Sequence, residues 1–143
     1  LIITFCGHSK LSNHATIQAQ LTQELRSLLE QENHKFYLGG YGDFDLLAAK
    51  VLHELKPEYS ELDSILILPY LARQVDASLY DGTIYPPLEN VPKRYAISHR
   101  NRWMVDQADM VIACVDHDWG GAAKTLEYAV KKRLRIINLG GLQ

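Results

Sequence analysis

Five short apolar runs, each bounded by Gly, Pro or Asp and separated by stretches of helical period, constrain this chain more than any other feature. They are LIITFC (Leu1–Cys6), KFYLG (Lys35–Gly39), SILILPY (Ser64–Tyr70), DMVIACV (Asp109–Val115) and RIINLG (Arg135–Gly140). Rich in β-branched and aromatic residues, they read as strands. Between them, Ala15–Gln31 sets Ile17, Leu21, Leu25 and Leu28 on one face, and Phe44–Leu55 does the same with Leu47, Val51 and Leu55. Ala122–Lys132 keeps that period, and Ile97–Gln107 reads as a helix leading into the fourth strand. Strands that are apolar throughout lie between two layers, and the helices joining them make right-handed crossovers in a parallel sheet. The expected fold is α/β, a Rossmann-like three-layer sandwich. Its sheet has five parallel strands in the order 3-2-1-4-5 with helices on both faces, and residues 1–143 form one domain.

The remaining composition narrows the function classes. A formal charge of −2 gives no overall electrostatic footprint for sequence-blind binding of nucleic acid or an anionic membrane. No apolar run approaches the roughly 20 residues of a spanning helix, and no signal-peptide order is present, so a soluble, cytoplasmic protein is expected. Cys6 and Cys114 sit at the ends of strand runs, where buried free thiols are expected in place of a disulfide.

Segment Leu71–Ala96 interrupts the rhythm with DGTIYPPLENVPKRY, whose prolines and turn dipeptide forbid one regular helix. It leaves the third strand at the ligand-facing end of the sheet, as lids, binding loops and oligomer contacts do. Tyr80, Tyr85, Leu88 and Tyr95 in it suggest apolar surface outside the core, and hence a homodimer.

In the expected order the first and fourth strands are neighbours whose following loops diverge, which opens a crevice at their carboxyl ends. Three glycine-bearing loops meet there: GHSKLSN (Gly7–Asn13), GGYGDFD (Gly39–Asp45) and DHDWGGAAKT (Asp116–Thr125). Any one of them reads as a strand–helix turn, because glycine permits positive φ. Their convergence favours an anion held by peptide N–H groups at a helix N-terminus. None matches G-x-G-x-x-G or the P-loop pattern, and no cofactor is implied. Ser9 and Thr125 could offer hydroxyls to a phosphate or cap helices, and Asp43 reads first as an N-cap. Lys10 and Asp45 add charge. Trp119 and Tyr41 could stack on a base or pack the loops. His8, His14, His99 and His117 lack any recognised metal-ligand spacing, so no metal is expected.

These residues resemble the SLOG superfamily, the Rossmann-like group that includes DprA-related DNA-processing proteins and the LOG phosphoribohydrolases. FCGHS (Phe5–Ser9) is similar to the LOG opening F-C-G-S-S, and LGGYGDFD (Leu38–Asp45) resembles Y-G-G-G-x-x-G-L-M. RNRWMVDQADMVIA (Arg100–Ala113) resembles R-K-x-x-M-x-x-x-S-D-x-x-I-A, and GGAAKTLE (Gly120–Glu127) resembles P-G-G-x-G-T-x-x-E. Small bacterial SLOG proteins with a GH-x opening, GGYGDFD and a GGAxKTLxYA ending are the nearest match. The resemblance implies binding of a phosphate-bearing nucleotide or nucleotide-derived small molecule. The proposed ligand-binding residues are Gly7, His8, Ser9, Gly39, Gly40, Tyr41, Gly42, Arg100, Trp119, Gly120, Gly121, Lys124 and Thr125.

The resemblance also implies, as an alternative, hydrolysis of the N-glycosidic bond of a nucleoside 5′-monophosphate, with Arg100 and Glu127 as the catalytic pair. Asn101 stands where the LOG pattern has lysine, DHDW precedes the glycines where the pattern has proline, and Glu127 follows Thr125 by two positions instead of three. That shift turns Glu127 by about 100° unless a wider loop absorbs it, in which case Glu127, Asp116 or Asp118 could still serve. A third reading, single-stranded DNA binding of DprA type, needs Lys93, Arg94, Arg100 and Arg102 to form one patch.

Overall fold

In a computed structural model of the chain, which describes residues 1–71 and 76–141, the strand–helix alternation closes into one six-stranded parallel sheet. The strands are β1 (Ile2–Gly7), β2 (Lys35–Leu38), β3 (Asp63–Ile67), β4 (Gly82–Ile84), β5 (Met110–Cys114) and β6 (Arg135–Asn138). The helices are α1 (His14–Gln31), α2 (Asp43–Leu55), α3 (Ala96–Gln107) and α4 (Gly121–Lys131), with a 3-10 turn at Lys93–Tyr95 leading into α3. Strand order is β4-β3-β2-β1-β5-β6. The five expected strands keep their predicted order, and β4 is an addition at one edge.

Side-chain alternation along the strands builds the two cores. On β5, Met110, Ile112 and Cys114 join Ile3, Phe5, Phe36 and the apolar stripes of α1 and α2 in one cluster. Val111, Ala113 and Val115 face the other way, against Val105 of α3 and Ala123, Leu126 and Ala129 of α4. Both thiols are free and buried. Burial pushes the Cys6 thiol well above its ordinary range and Cys114 up to about 11.

The excursion after β3 does not stand off as a lid. Residues 72–75 of it lie outside the described residues. Its Asp81 carboxylate accepts the Ser64 N–H at 2.9 Å, the Asp81 N–H donates to Ser64 O at 2.8 Å, and the next residues pair with β3 as β4. A three-residue edge strand followed closely by two prolines leaves too weak a periodic signal to read from sequence. Leu88 is buried, and Tyr80 and Tyr85 are half-buried, so of the four apolar residues expected at the surface only Tyr95 is exposed. The apolar surface expected to drive dimerisation is therefore largely taken up by the fold itself.

Candidate functional site

At the carboxyl ends of β1 and β5, where the following chains turn to opposite faces, a cleft of about 530 Å³ opens. Its walls come from the β1–α1 loop (Gly7, His8, Ser9, Lys10), from Tyr41 and Asp45, from Ile97, Arg100 and Asn101 of α3, and from His117, Trp119, Gly120, Gly121, Ala122 and Thr125 around the start of α4.

The glycines divide by what surrounds them. A Cβ on Gly7 would lie 2.3 to 2.5 Å from the Phe44 side chain, and one on Gly39 would lie 2.9 Å from both Arg100 Cζ and Asp45 Oδ2. One on Gly40 would strike Leu66 at 2.6 Å, and one on Gly42 would strike Ser9 Cα at 2.8 Å. These four glycines are explained by close packing. Gly120 and Gly121 have no atom within 4 Å of the position a Cβ would take. Gly120, with φ of +93°, is the N-cap of α4, and the peptide N–H groups of the first turn are not bonded within the helix. A positive helix end beside bare backbone and open volume is what an anion needs.

Beside those glycines the cleft carries an aromatic stack. His8 lies on His117 with ring centroids 3.6 Å apart and planes 13° from parallel, and His117 lies on Trp119 at 3.6 Å and 18°. Trp119 is 66% exposed, so the ring retains a face for a flat ligand. His8 Nε2 accepts the Asp116 N–H at 3.0 Å. Burial, with His117 close by, lowers the His8 pKa against the opposing pull of Asp116 and favours the neutral ring. Donor atoms of His8, Asp116 and His117 all lie within 4.8 Å of one another. Stacked in parallel, the two imidazoles direct their in-plane lone pairs along separate planes, so the rings must turn before one ion could take both. Sequence spacing gave no sign of this cluster, because two loops about 110 residues apart bring it together.

Arg100 is 2% exposed and acts inside the wall of the cleft. Its Nη1 donates to Gly39 O at 2.8 Å and Ile67 O at 2.9 Å, and Nε donates to Asn101 Oδ1 at 3.0 Å. It ties together the carboxyl ends of β2 and β3. Asp45, part-buried beside it, accepts the Gly39 N–H at 3.1 Å. Burial pushes the Asp45 carboxyl up to about 6, while Arg100 and the Gly39 and Tyr41 N–H groups pull it back.

Arg100 and Glu127, paired by the resemblance, are not brought together. Thr125 lines the cleft and donates Oγ1 to Gly121 O at 2.9 Å, a bond within the helix and not a cap. Two residues further, Glu127 has turned about 200° around the axis. It faces away from the cleft, is 66% exposed and pairs with Lys131 at 3.0 Å. No wider loop restores it, and the side chain of Asp116 is 68% exposed and outside this cleft. Lys124 also lies outside, on the α3–α4 flank. Gly39, Gly40 and Gly42 do not line the cleft; the first two border a smaller apolar cavity of about 330 Å³ that also meets Tyr41 and Arg100. Asp43 is the first helical residue of α2, after the N-cap Gly42. Its carboxylate accepts the Leu11 N–H at 2.9 Å and meets His14 at 3.3 Å, which holds the β1–α1 loop. With Arg100 buried, Lys93, Arg94, Arg100 and Arg102 do not make one exposed patch, which corrects the arrangement that DNA binding needed.

The parallel sheet, its crevice at the β1–β5 junction and the glycine-led α4 define a Rossmann-like protein. More narrowly, the chain belongs to the SLOG superfamily, and residues 7–77, about half its length, match the YspA SLOG family. No curated protein is significantly similar to it in sequence. Among solved structures it is similar to the molybdenum cofactor binding protein of the phototrophic bacterium Rippkaea orientalis, with 21% identity over 96% of this chain and 74% of that one and a TM-score of 0.66. It is also similar to the molybdenum cofactor carrier protein of Chlamydomonas reinhardtii, with 16% identity, 97% and 76% coverage and a TM-score of 0.63. The single-stranded DNA binding DNA processing protein A of Helicobacter pylori is a third, with 15% identity, 96% and 64% coverage and a TM-score of 0.67. At these identities the likeness is one of fold. Among the described residues no helix is long and apolar enough to cross a membrane.

Proposed function

We propose that this protein binds a phosphate-bearing nucleotide or nucleotide-derived small molecule in the β1–β5 cleft, as a binding or sensing protein. The observation that carries the reading is the contrast among the glycines: four are filled by neighbouring atoms, whereas Gly120 and Gly121 face open volume at the head of α4. The positive φ of Gly120 calls for glycine at that residue, but neither packing nor backbone conformation gives a reason for a second bare residue at Gly121, and a phosphate does. Trp119, immediately before them, supplies a surface for the base, and Ser9 and Lys10 supply polar groups across the cleft. The similar structures, by name, handle a molybdenum cofactor or single-stranded DNA, so the fold accommodates more than one ligand class. Binding is favoured over N-glycosidic hydrolysis because Glu127 is directed away and Arg100 is spent on two carbonyls. Calorimetry against mono-, di-, cyclic and ADP-ribose-type nucleotides tests the reading. Micromolar binding of one class is expected, and silence across the panel refutes it.

A further inference from the structure

A second recess of about 500 Å³ lies between α3 and α4 and shares Ile97, Asn101, Gly121 and Thr125 with the cleft, so the two are continuous past the first turn of α4. Its charge is mainly positive, four cationic side chains against the one carboxylate of Glu127. Arg94 enters from the 3-10 turn, Arg102 from α3, and Lys124 and Lys131 from α4. Lys131 is matched by Glu127 at 3.0 Å. Arg94, Arg102 and Lys124 have no carboxylate partner among the described residues. The two guanidinium groups rest on aromatic faces instead, Arg94 4.8 Å above Tyr95 and Arg102 5.6 Å above Tyr128, contacts that hold them in place without neutralising them. In a chain of net charge −2, three unmatched cations from three elements in one recess repel one another until an anion enters.

The order along the chain gives the recess a direction. Trp119, the bare Gly120 and Gly121, and then Lys124 one turn on run in sequence from aromatic wall, through helix end, to cationic recess. We infer that the recess is a second anion site and that the ligand is a nucleotide carrying more than one phosphoryl group, an oligophosphate or a bisphosphate. On this arrangement the first phosphoryl group sits at the head of α4 and the next between Arg94, Arg102 and Lys124. The inference rests on the nucleotide reading of the cleft. A nucleic acid fits less well, since it needs a continuous cationic track, and here the carboxylate of Glu127 interrupts the cationic lining and takes up Lys131.

The test is calorimetry of one nucleoside as its mono-, di- and triphosphate on the full chain and on the R94A/R102A variant, with thermal melts to confirm folding. Both arginines are exposed and lie outside the cleft. Wild type is expected to gain about tenfold or more in affinity from mono- to triphosphate, and the variant to lose that gain while holding the monophosphate within about threefold. Equal affinity for the three nucleotides in wild type, or a uniform loss in the folded variant, overturns this inference and leaves the monophosphate site standing. Absence of binding by all three removes the nucleotide reading and this one with it. A short single-stranded DNA that displaces the triphosphate at lower concentration than the nucleotide itself overturns it in favour of nucleic acid.

Discussion

Replacing Arg100 with methionine separates a structural tie from a group that meets ligand. The change keeps much of the side-chain volume and removes the donors to Gly39 O and Ile67 O. Bonds from a charged donor are worth about 1.5–3 kcal/mol each, and breaking a buried charged contact about 3–5 kcal/mol. With about 2.1 cal/mol/K of unfolding entropy per residue over 143 residues, or roughly 0.3 kcal/mol/K, a loss of 3–5 kcal/mol lowers Tm by about 10–17 °C. The effect carries a pH signature through Asp45. Its carboxyl lies near pH 6 in the folded protein, above the roughly 3.9 of an unfolded chain, so the folded state holds that proton more tightly. The contribution of Asp45 to stability is therefore greatest below about pH 4, falls by about 3 kcal/mol as pH rises to about 6, and then levels off. Without Arg100 the carboxyl rises further and the fall continues to higher pH, each added unit costing about 1.4 kcal/mol, or roughly 4–5 °C. Melts followed by circular dichroism at about pH 5 and about pH 8 should show a wider gap between wild type and R100M at the higher pH. A gap equal at both, or a variant melting within about 3 °C of wild type, refutes the tie between β2, β3 and Asp45.

Three further outcomes follow from the site. Gly121→Asp puts a carboxylate into open volume at the first turn of α4, where it favours the helix by about 0.3–1 kcal/mol, so Tm holds or rises while nucleotide affinity falls at least about tenfold; unchanged affinity in calorimetry would sink the phosphate seat. Gly7→Ala drives a methyl into the Phe44 ring and costs about 1–3 kcal/mol in denaturant titration, and a neutral result would show that packing does not explain this glycine. Glu127→Gln, at an exposed helix pair, changes stability by less than about 0.5 kcal/mol and leaves nucleoside monophosphate affinity within about twofold; a tenfold loss would return Glu127 to the cleft.

Much of this architecture was legible because it depends on periodicity. Ile17, Leu21 and Leu25 mark a helix face whatever they pack against, and the apolar run through Val111 and Ile112 requires cover on both sides, so layers and strand order followed. The cleft's position followed from that order. Side-chain direction did not follow. Whether Gly39 or Gly120 faced a ligand depended on Arg100 and Asp45 arriving beside one of them from elsewhere in the fold, which spacing does not encode. The His8–His117–Trp119 stack and the cationic recess are likewise products of distant loops and helices meeting. For Glu127 the offset from Thr125 was visible in the sequence, and the regular start of α4 at Gly121 decided between the two outcomes it allowed.

The strand order has a consequence in time. β1 lies between β2 and β5, and on a growing chain β2 is complete at residue 38 while β5 ends at residue 114, so 76 residues (114 − 38) separate its two partners. At about 5–20 residues per second of synthesis, that flank stays open for roughly 4–15 s. Throughout that interval the chain displays a strand paired on one side only, carrying Ile3 and Phe5 that are buried in the finished fold, with the β1–β5 cleft only half built. The residues that open the crevice of the finished protein are thus the ones that most need protection while it is being made.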